Sequence, residues 1–151
     1  MTVMNLTTNS YTLRVFRENG LKCTPQRIAV LKIIEASNTH LSVDKIHNMV
    51  KKFLPNVGLA TIYRSLDSLV ELGLIEKVHL DDGCHSYTSA SGGHKHALVC
   101  RECDQIVNYE DCPLEDIKEQ ISKKTGFRIE NHYLQLFGTC RACQTAELSK
   151  K

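Results

Sequence analysis

No stretch of this chain approaches the ~18 consecutive apolar residues that a membrane-spanning helix requires, so no span is expected. The opening MTVMNLTTNS holds no basic segment followed by an apolar run, so no secretory signal is expected and the reading is a cytoplasmic protein. An excess of charge is missing too: the formal net charge is +2. Residues 1–87 carry 10 Lys/Arg and 8 Asp/Glu (10 − 8 = +2) and the remainder carries 9 of each (9 − 9 = 0). That is a weak electrostatic pull toward nucleic acid in the first part, and composition alone does not carry a DNA-binding claim.

The chain does have seven cysteines in 151 residues. In a reducing cytosol, paired CxxC spacings indicate metal sites before disulfides. Cys100 and Cys103 form one such pair, and Cys140 and Cys143 form the other. Each pair can turn both sulfurs toward one ion, and together they complete a tetrahedral four-sulfur shell suited to zinc. Four thiolates leave no open position, so this ion is expected to be structural. Of the other three cysteines, Cys23 precedes a helix and reads as a small packed residue. Cys112, just before Pro113, reads as core or as a spare ligand, and Cys84 stands beside His85 as a further candidate.

The pattern along the chain divides it in two. A short helix is expected over 11–19, with Gly20 as its stop. Thr24-Pro25 caps and opens a second, Ser42 caps a third, and a fourth runs over 60–72 and stops at Gly73. Two short strands, 74–80 and 84–88, flank an Asp-Gly turn, which is a hairpin signal. Helices followed by a hairpin describe a winged helix-turn-helix. Ser89-Ala90-Ser91-Gly92-Gly93 then reads as a hinge. Beyond it, 94–109 is strand-like around a cysteine knuckle, Pro113 opens an amphipathic helix (Leu114, Ile117, Ile121) ending at Gly126, and 127–137 reads as a strand. The expected fold is therefore α+β: a winged-helix domain over 1–88, a hinge over 89–93, and a small α/β dimerisation domain over 94–151. A core that small usually needs a staple or a partner chain.

His94 and His96 lie two apart on an extended segment and so face the same way, which suits chelation. Two strands and a helix end can bring them together with His132 and Glu115. Here the sequence resembles the ferric-uptake-regulator superfamily of bacterial metal-sensing repressors. The resemblance covers about residues 13–143 and is carried by LKCTPQR (21–27), LATIYRSL (59–66), HKH (94–96), the two CxxC pairs and FGTC (137–140). It implies that Cys100, Cys103, Cys140 and Cys143 hold a structural zinc. It also implies that His94, His96, Glu115 and His132 hold a regulatory divalent ion: zinc favoured, iron(II) or manganese(II) acceptable. Many members carry a further inter-domain sensing site. Its two strand histidines fall here at Lys95 and Ala97, and its acidic or thiol ligand falls near Thr88 or Ser89. His40 alone stands in place, so that site is either absent or rebuilt from His40, His79, Cys84 or His85.

In a winged helix the recognition helix enters the major groove. Residues 60–72 fit that role, with Thr61, Tyr63 and Arg64 exposed at its start if Ile62, Leu66 and Leu69 face the core. Arg64 can donate to guanine or phosphate, and Tyr63 can contact a thymine methyl. Arg27 is a candidate phosphate contact and Lys22 a candidate minor-groove contact. The expected function is a metal-responsive transcriptional repressor of metal-uptake genes, acting as a homodimer on a palindromic double-stranded operator. GLATIYRSL and DCPLEDI resemble zinc-uptake regulators, and iron- or peroxide-responsive repression is the alternative within the family. Peroxide sensing needs an open, oxygen-rich iron site, whose usual aspartate and histidines are missing. A zinc hydrolase built on the three histidines and Glu115 is the alternative of another class. Its shell would lack an open position and no nucleophile motif accompanies it, so no enzyme is expected.

Overall fold

The computed structural model describes residues 8–37, 39–80, 83–90, 96–130 and 132–148. The chain forms two compact units, Met1–Ser91 and Gly92–Lys151.

The first unit contains α1 (Ser10–Glu18), α2 (Pro25–Glu35), β1 (Leu41–Ser42), α3 (Val43–Lys51), α4 (Leu59–Glu71), β2 (Ile75–His79) and β3 (His85–Ser89). Its helix starts follow the capping chemistry. Asn9, Thr24 and Ser42 each accept a backbone N–H from three residues on, those of Thr12, Arg27 and Lys45. Pro25 sits at the first helical position of α2, where no N–H is required. Gly73 stops α4 in the left-handed region (φ +66°), which costs glycine nothing. In α4 the buried positions Ile62, Ser65, Leu66 and Leu69 recur at helical spacing. Ile62, Leu66 and Leu69 meet Ala29, Val30, Leu31, Ile33 and Ile34 of α2, Ile46 and Val50 of α3, and Tyr87 of β3 in one apolar core. The hairpin β2–β3 runs antiparallel with His79 opposite His85. The short strand β1, which the sequence pattern does not announce, adds to its other side through Leu41 opposite Tyr87. This is a winged helix.

The second unit contains β4 (His96–Cys100), β5 (Ile106–Tyr109), α5 (Glu115–Thr125), β6 (Gln135–Gly138) and α6 (Arg141–Leu148). Its sheet has the order β5–β4–β6. β5 is antiparallel to β4, whereas β6 is parallel to it and is reached through α5. Two expectations need correction. The strand expected over 127–137 is regular only over Gln135–Gly138, because β6 pairs with β4 alone and β4 supplies four partners, Ala97–Cys100. His132 therefore lies in the irregular approach to β6, not within the strand. The amphipathic helix begins at Glu115, two residues past Pro113, and buries none of its residues: Ile117 and Ile121 stay exposed within the chain. The helix α6, which starts within the last cysteine pair and includes Cys143, was not anticipated, since its residues carry no apolar stripe.

Candidate metal centres and nucleic-acid interface

The sheet register assembles the first centre. Cys100 ends β4 opposite Gly138, two residues before Cys140. The knuckle between Cys100 and Cys103 closes when the Asp104 N–H donates to the Cys100 carbonyl across 3.0 Å. Asp104 takes a positive φ (57°) there, which a short polar side chain tolerates. The ligand atoms of Cys100, Cys103, Cys140 and Cys143 all lie within 4.8 Å of one another. Cys103 Sγ is 3.8 Å from Cys140 Sγ, and the Cys140 N–H donates to Cys100 Sγ across 3.3 Å. That N–H bond is the main reason the Cys100 thiol is pulled down to about 6; burial opposes it, and the N–H groups of Glu102 and Cys103 assist. Cys143 is pushed up, chiefly by its hydrogen bond to the Cys140 thiol. Four sulfurs this close share protons, and an ion that binds them must displace those protons. The donor set fits a closed, tetrahedral zinc shell.

The second cluster joins His96, Cys112 and His132, whose ligand atoms also lie within 4.8 Å of one another. His96 is 2% exposed at the start of β4, and its ring centroid is 5.3 Å from that of His132. Cys112 Sγ is 3.4 Å from His132 Nε2. Glu115 does not join this group: it lies on the surface at the start of α5, where its Oε1 is 3.0 Å from Lys118 Nζ. His94 lies outside the described residues. In the wing, the His79 and His85 rings meet edge to face at 4.7 Å, while Cys84 is exposed at the turn. Among the described residues, His40, His79, Cys84 and His85 form no third ligand cluster.

In the winged helix, Lys22, Arg27, Thr61 and Arg64 line one shallow cleft together with Thr24 and Gln26. Arg64 is exposed, its Nε donating to the Ala60 carbonyl within the same helix, and Tyr63 is 44% exposed beside it. Arg27 is more engaged than its sequence position suggests. Its Nη1 donates to the Lys22 carbonyl at 2.6 Å and its Nη2 to Ser68 Oγ on α4 at 3.2 Å. It braces α4 against the turn before α2.

A winged helix presenting a cationic cleft, in one chain with two Cys/His clusters, defines a metal-dependent DNA-binding regulator. Comparison with known proteins gives the family. Residues 18–137 match the ferric uptake regulator family, and the chain belongs to it. It is 37% identical to the ferric uptake regulation protein of Bacillus subtilis over 133 residues, covering 85% of this chain and 89% of that one. It is 30% identical to the peroxide-responsive repressor PerR of Staphylococcus saprophyticus over 128 residues, covering 85% and 86%. The solved structure of the Helicobacter pylori ferric uptake regulator, a protein with three functional metal binding sites, aligns at a TM-score of 0.75 and 26% identity over 94% of this chain and 95% of that one. Members of this family are transcriptional regulators rather than enzymes.

Cys112 is the residue for which sequence spacing gave no clear role. The signal lay in topology: Tyr109 pairs with His96 across the sheet, so the chain leaving β5 carries Cys112 back to the start of β4.

Proposed function

We propose that this protein is a cytoplasmic, homodimeric repressor of metal-uptake genes that binds a palindromic operator when a divalent ion, zinc in preference to iron, occupies its second unit. On this reading residues 1–88 bind DNA, 89–93 are the hinge and 94–151 dimerise and hold metal. Cys100, Cys103, Cys140 and Cys143 hold the structural zinc. His96 and His132 hold the regulatory ion; the resemblance adds His94 and Glu115 to them, and of these Glu115 stands on the surface beside Lys118. Thr61, Tyr63 and Arg64 read the operator, and Lys22 and Arg27 hold its backbone. The observation that carries this reading is the convergence of His96 and His132 at the chain's entry to the second unit, a few residues after the Ser-Ala-Ser-Gly-Gly segment. An ion fixed there restrains the chain where it leaves the hinge, and coupling of this kind is typically ~1–3 kcal/mol, or about 5–150-fold in operator affinity. The homodimer is supported by the apolar sheet face that one chain leaves open: Leu98 and its cross-strand partners Val107 and Leu136 are each more than a third exposed. The test is operator binding titrated against zinc, iron(II) and manganese(II). His96→Ala should abolish the metal dependence while the four-cysteine zinc and the dimer survive, and Cys84→Ser should leave the response unchanged. Loss of the response in Cys84→Ser with retention in His96→Ala would move the sensor to the wing and overturn the assignment.

A further inference from the structure

The second cluster differs from the ligand set that the family resemblance implies, and the difference is chemical. Three segments distant in sequence deliver it: the first residue of β4, the loop leaving β5, and the approach to β6. Cys112 Sγ lies 3.4 Å from His132 Nε2, and both side chains, with His96, offer ligand atoms within 4.8 Å of one another. Glu115, three residues further on, is turned to the surface and paired with Lys118. Cys112 and Glu115 thus compete for one role, and the chain path favours the thiol. From this geometry we infer that Cys112, and not Glu115, is the third protein ligand of the second metal site. The inference rests on that site being a metal site, and it specifies which ions the site accepts. A thiolate beside two imidazoles is a borderline-soft donor set, which suits zinc, and cobalt(II) as its spectroscopic stand-in. Manganese(II) and iron(II) bind better where carboxylate oxygen takes its place. The site therefore selects zinc through its sulfur.

Cobalt(II) titrated anaerobically into dimeric full-length protein already carrying one zinc per chain tests this, with zinc content followed in the same sample. Wild type should take up cobalt with a near-ultraviolet thiolate-to-cobalt charge-transfer band while its zinc stays bound. Cys112→Ser should lose that band and bind zinc at the second site more than about tenfold more weakly, since even outer-shell changes cost about 10–100-fold in metal affinity. Cys112→Asp should bind cobalt without the band and narrow the preference for zinc over manganese(II). Glu115→Gln should match wild type throughout. Wild-type cobalt binding without the band, or a Cys112→Ser protein with wild-type affinity and spectrum, overturns the inference. So does a loss of affinity confined to Glu115→Gln. If any of these occurs while operator binding still depends on metal, the ligand assignment alone fails. If wild type binds no second ion and its operator affinity ignores metal, the functional reading fails with it.

Discussion

Serine at position 100 keeps the size of cysteine and removes the sulfur, and the structure says what should follow. Cys100 is 4% exposed at the end of the central strand and receives the N–H of Cys140 from the far side of the α5 crossover. Its thiol is drawn down to about 6, chiefly by that N–H bond, and so offers a thiolate at neutral pH. The second unit has little else to hold it together. Ala97, Val99 and Cys100 are its buried apolar residues among those described, and α5 buries none. Structural zinc in zinc-finger peptides supplies about 10–16 kcal/mol of apparent binding free energy at neutral pH. Whole domains are stable by only about 5–15 kcal/mol. Loss of one ligand from a four-ligand shell should therefore exceed the margin of this unit. The expected result for Cys100→Ser is zinc content falling from one ion per chain toward none by elemental analysis. Hydrogen exchange should show lost protection in β4 and β6 with α2 and α4 still protected, and the dimer should disappear on gel filtration. Cys84→Ser, an exposed cysteine outside both clusters, is the matched control and should change none of these. A Cys100→Ser protein that stays dimeric and protected without zinc would refute the reasoning, because the unit would then be held by packing alone.

Two further changes separate reading from bracing in the winged helix. Arg64→Ala should cost ~1–3 kcal/mol of specific operator binding in gel-shift titration, with thermal stability unchanged, since the hydrogen bond it makes among the described residues stays within its own helix. Arg27→Ala should weaken binding to all sequences and flatten the salt dependence. It should also lower the stability of the unit by about 1–3 kcal/mol, because it removes charged donors from Lys22 and Ser68. Equal loss of stability in both variants would contradict this division. Tyr87 gives a pH prediction. It is 1% exposed in the core, its hydroxyl has no hydrogen-bond partner among the described residues, and burial pushes its pKa from 10 to about 12, with Asp67 and Tyr63 adding to the shift. A raised folded-state pKa means that its contribution is fully present below pH 10 and is lost as pH rises from 10 through about 12. Tyr87→Phe should be neutral or slightly stabilising at pH 7 and should reduce the alkaline loss in a melting-temperature profile. An alkaline profile identical to wild type would count against it.

The helices and the hairpin of the first unit were legible because each announces itself locally. Thr24-Pro25 and Ser42 are capping signals, Ile62, Leu66 and Leu69 are a helical stripe, and the Asp-Gly turn needs no distant information. The elements that the sequence did not reveal are those whose reason is tertiary. β1 is two residues long and exists because β3 has an open edge beside Leu41. The strand expected over 127–137 stops short because β4 runs out of partners. Phe127 and Tyr133, which lent that stretch its apolar alternation, are 73% and 66% exposed within the chain. Residues of a surface that one chain leaves open look like core to a periodicity argument, since composition does not say which chain will cover them.

The metal centres divide along the same line. CxxC pairs are legible because both ligands lie within four consecutive residues and the motif carries its own geometry. The second cluster has one residue from each of three segments, and neither the Cys112 to His132 separation nor the His96 to Cys112 separation is a metal-binding spacing. What unites them is a register: His96 opposite Tyr109 on one side of β4 and Ala97 opposite Gln135 on the other. A shift of one residue in either ladder would turn His96 to the opposite face and carry Cys112 or His132 away from it. The assembly of this cluster is thus tied to strand pairing. Substitutions in β5 or β6 that disturb the register, without touching a ligand, should weaken zinc at the second site before they affect the four-cysteine centre, whose ligands are grouped in two local pairs.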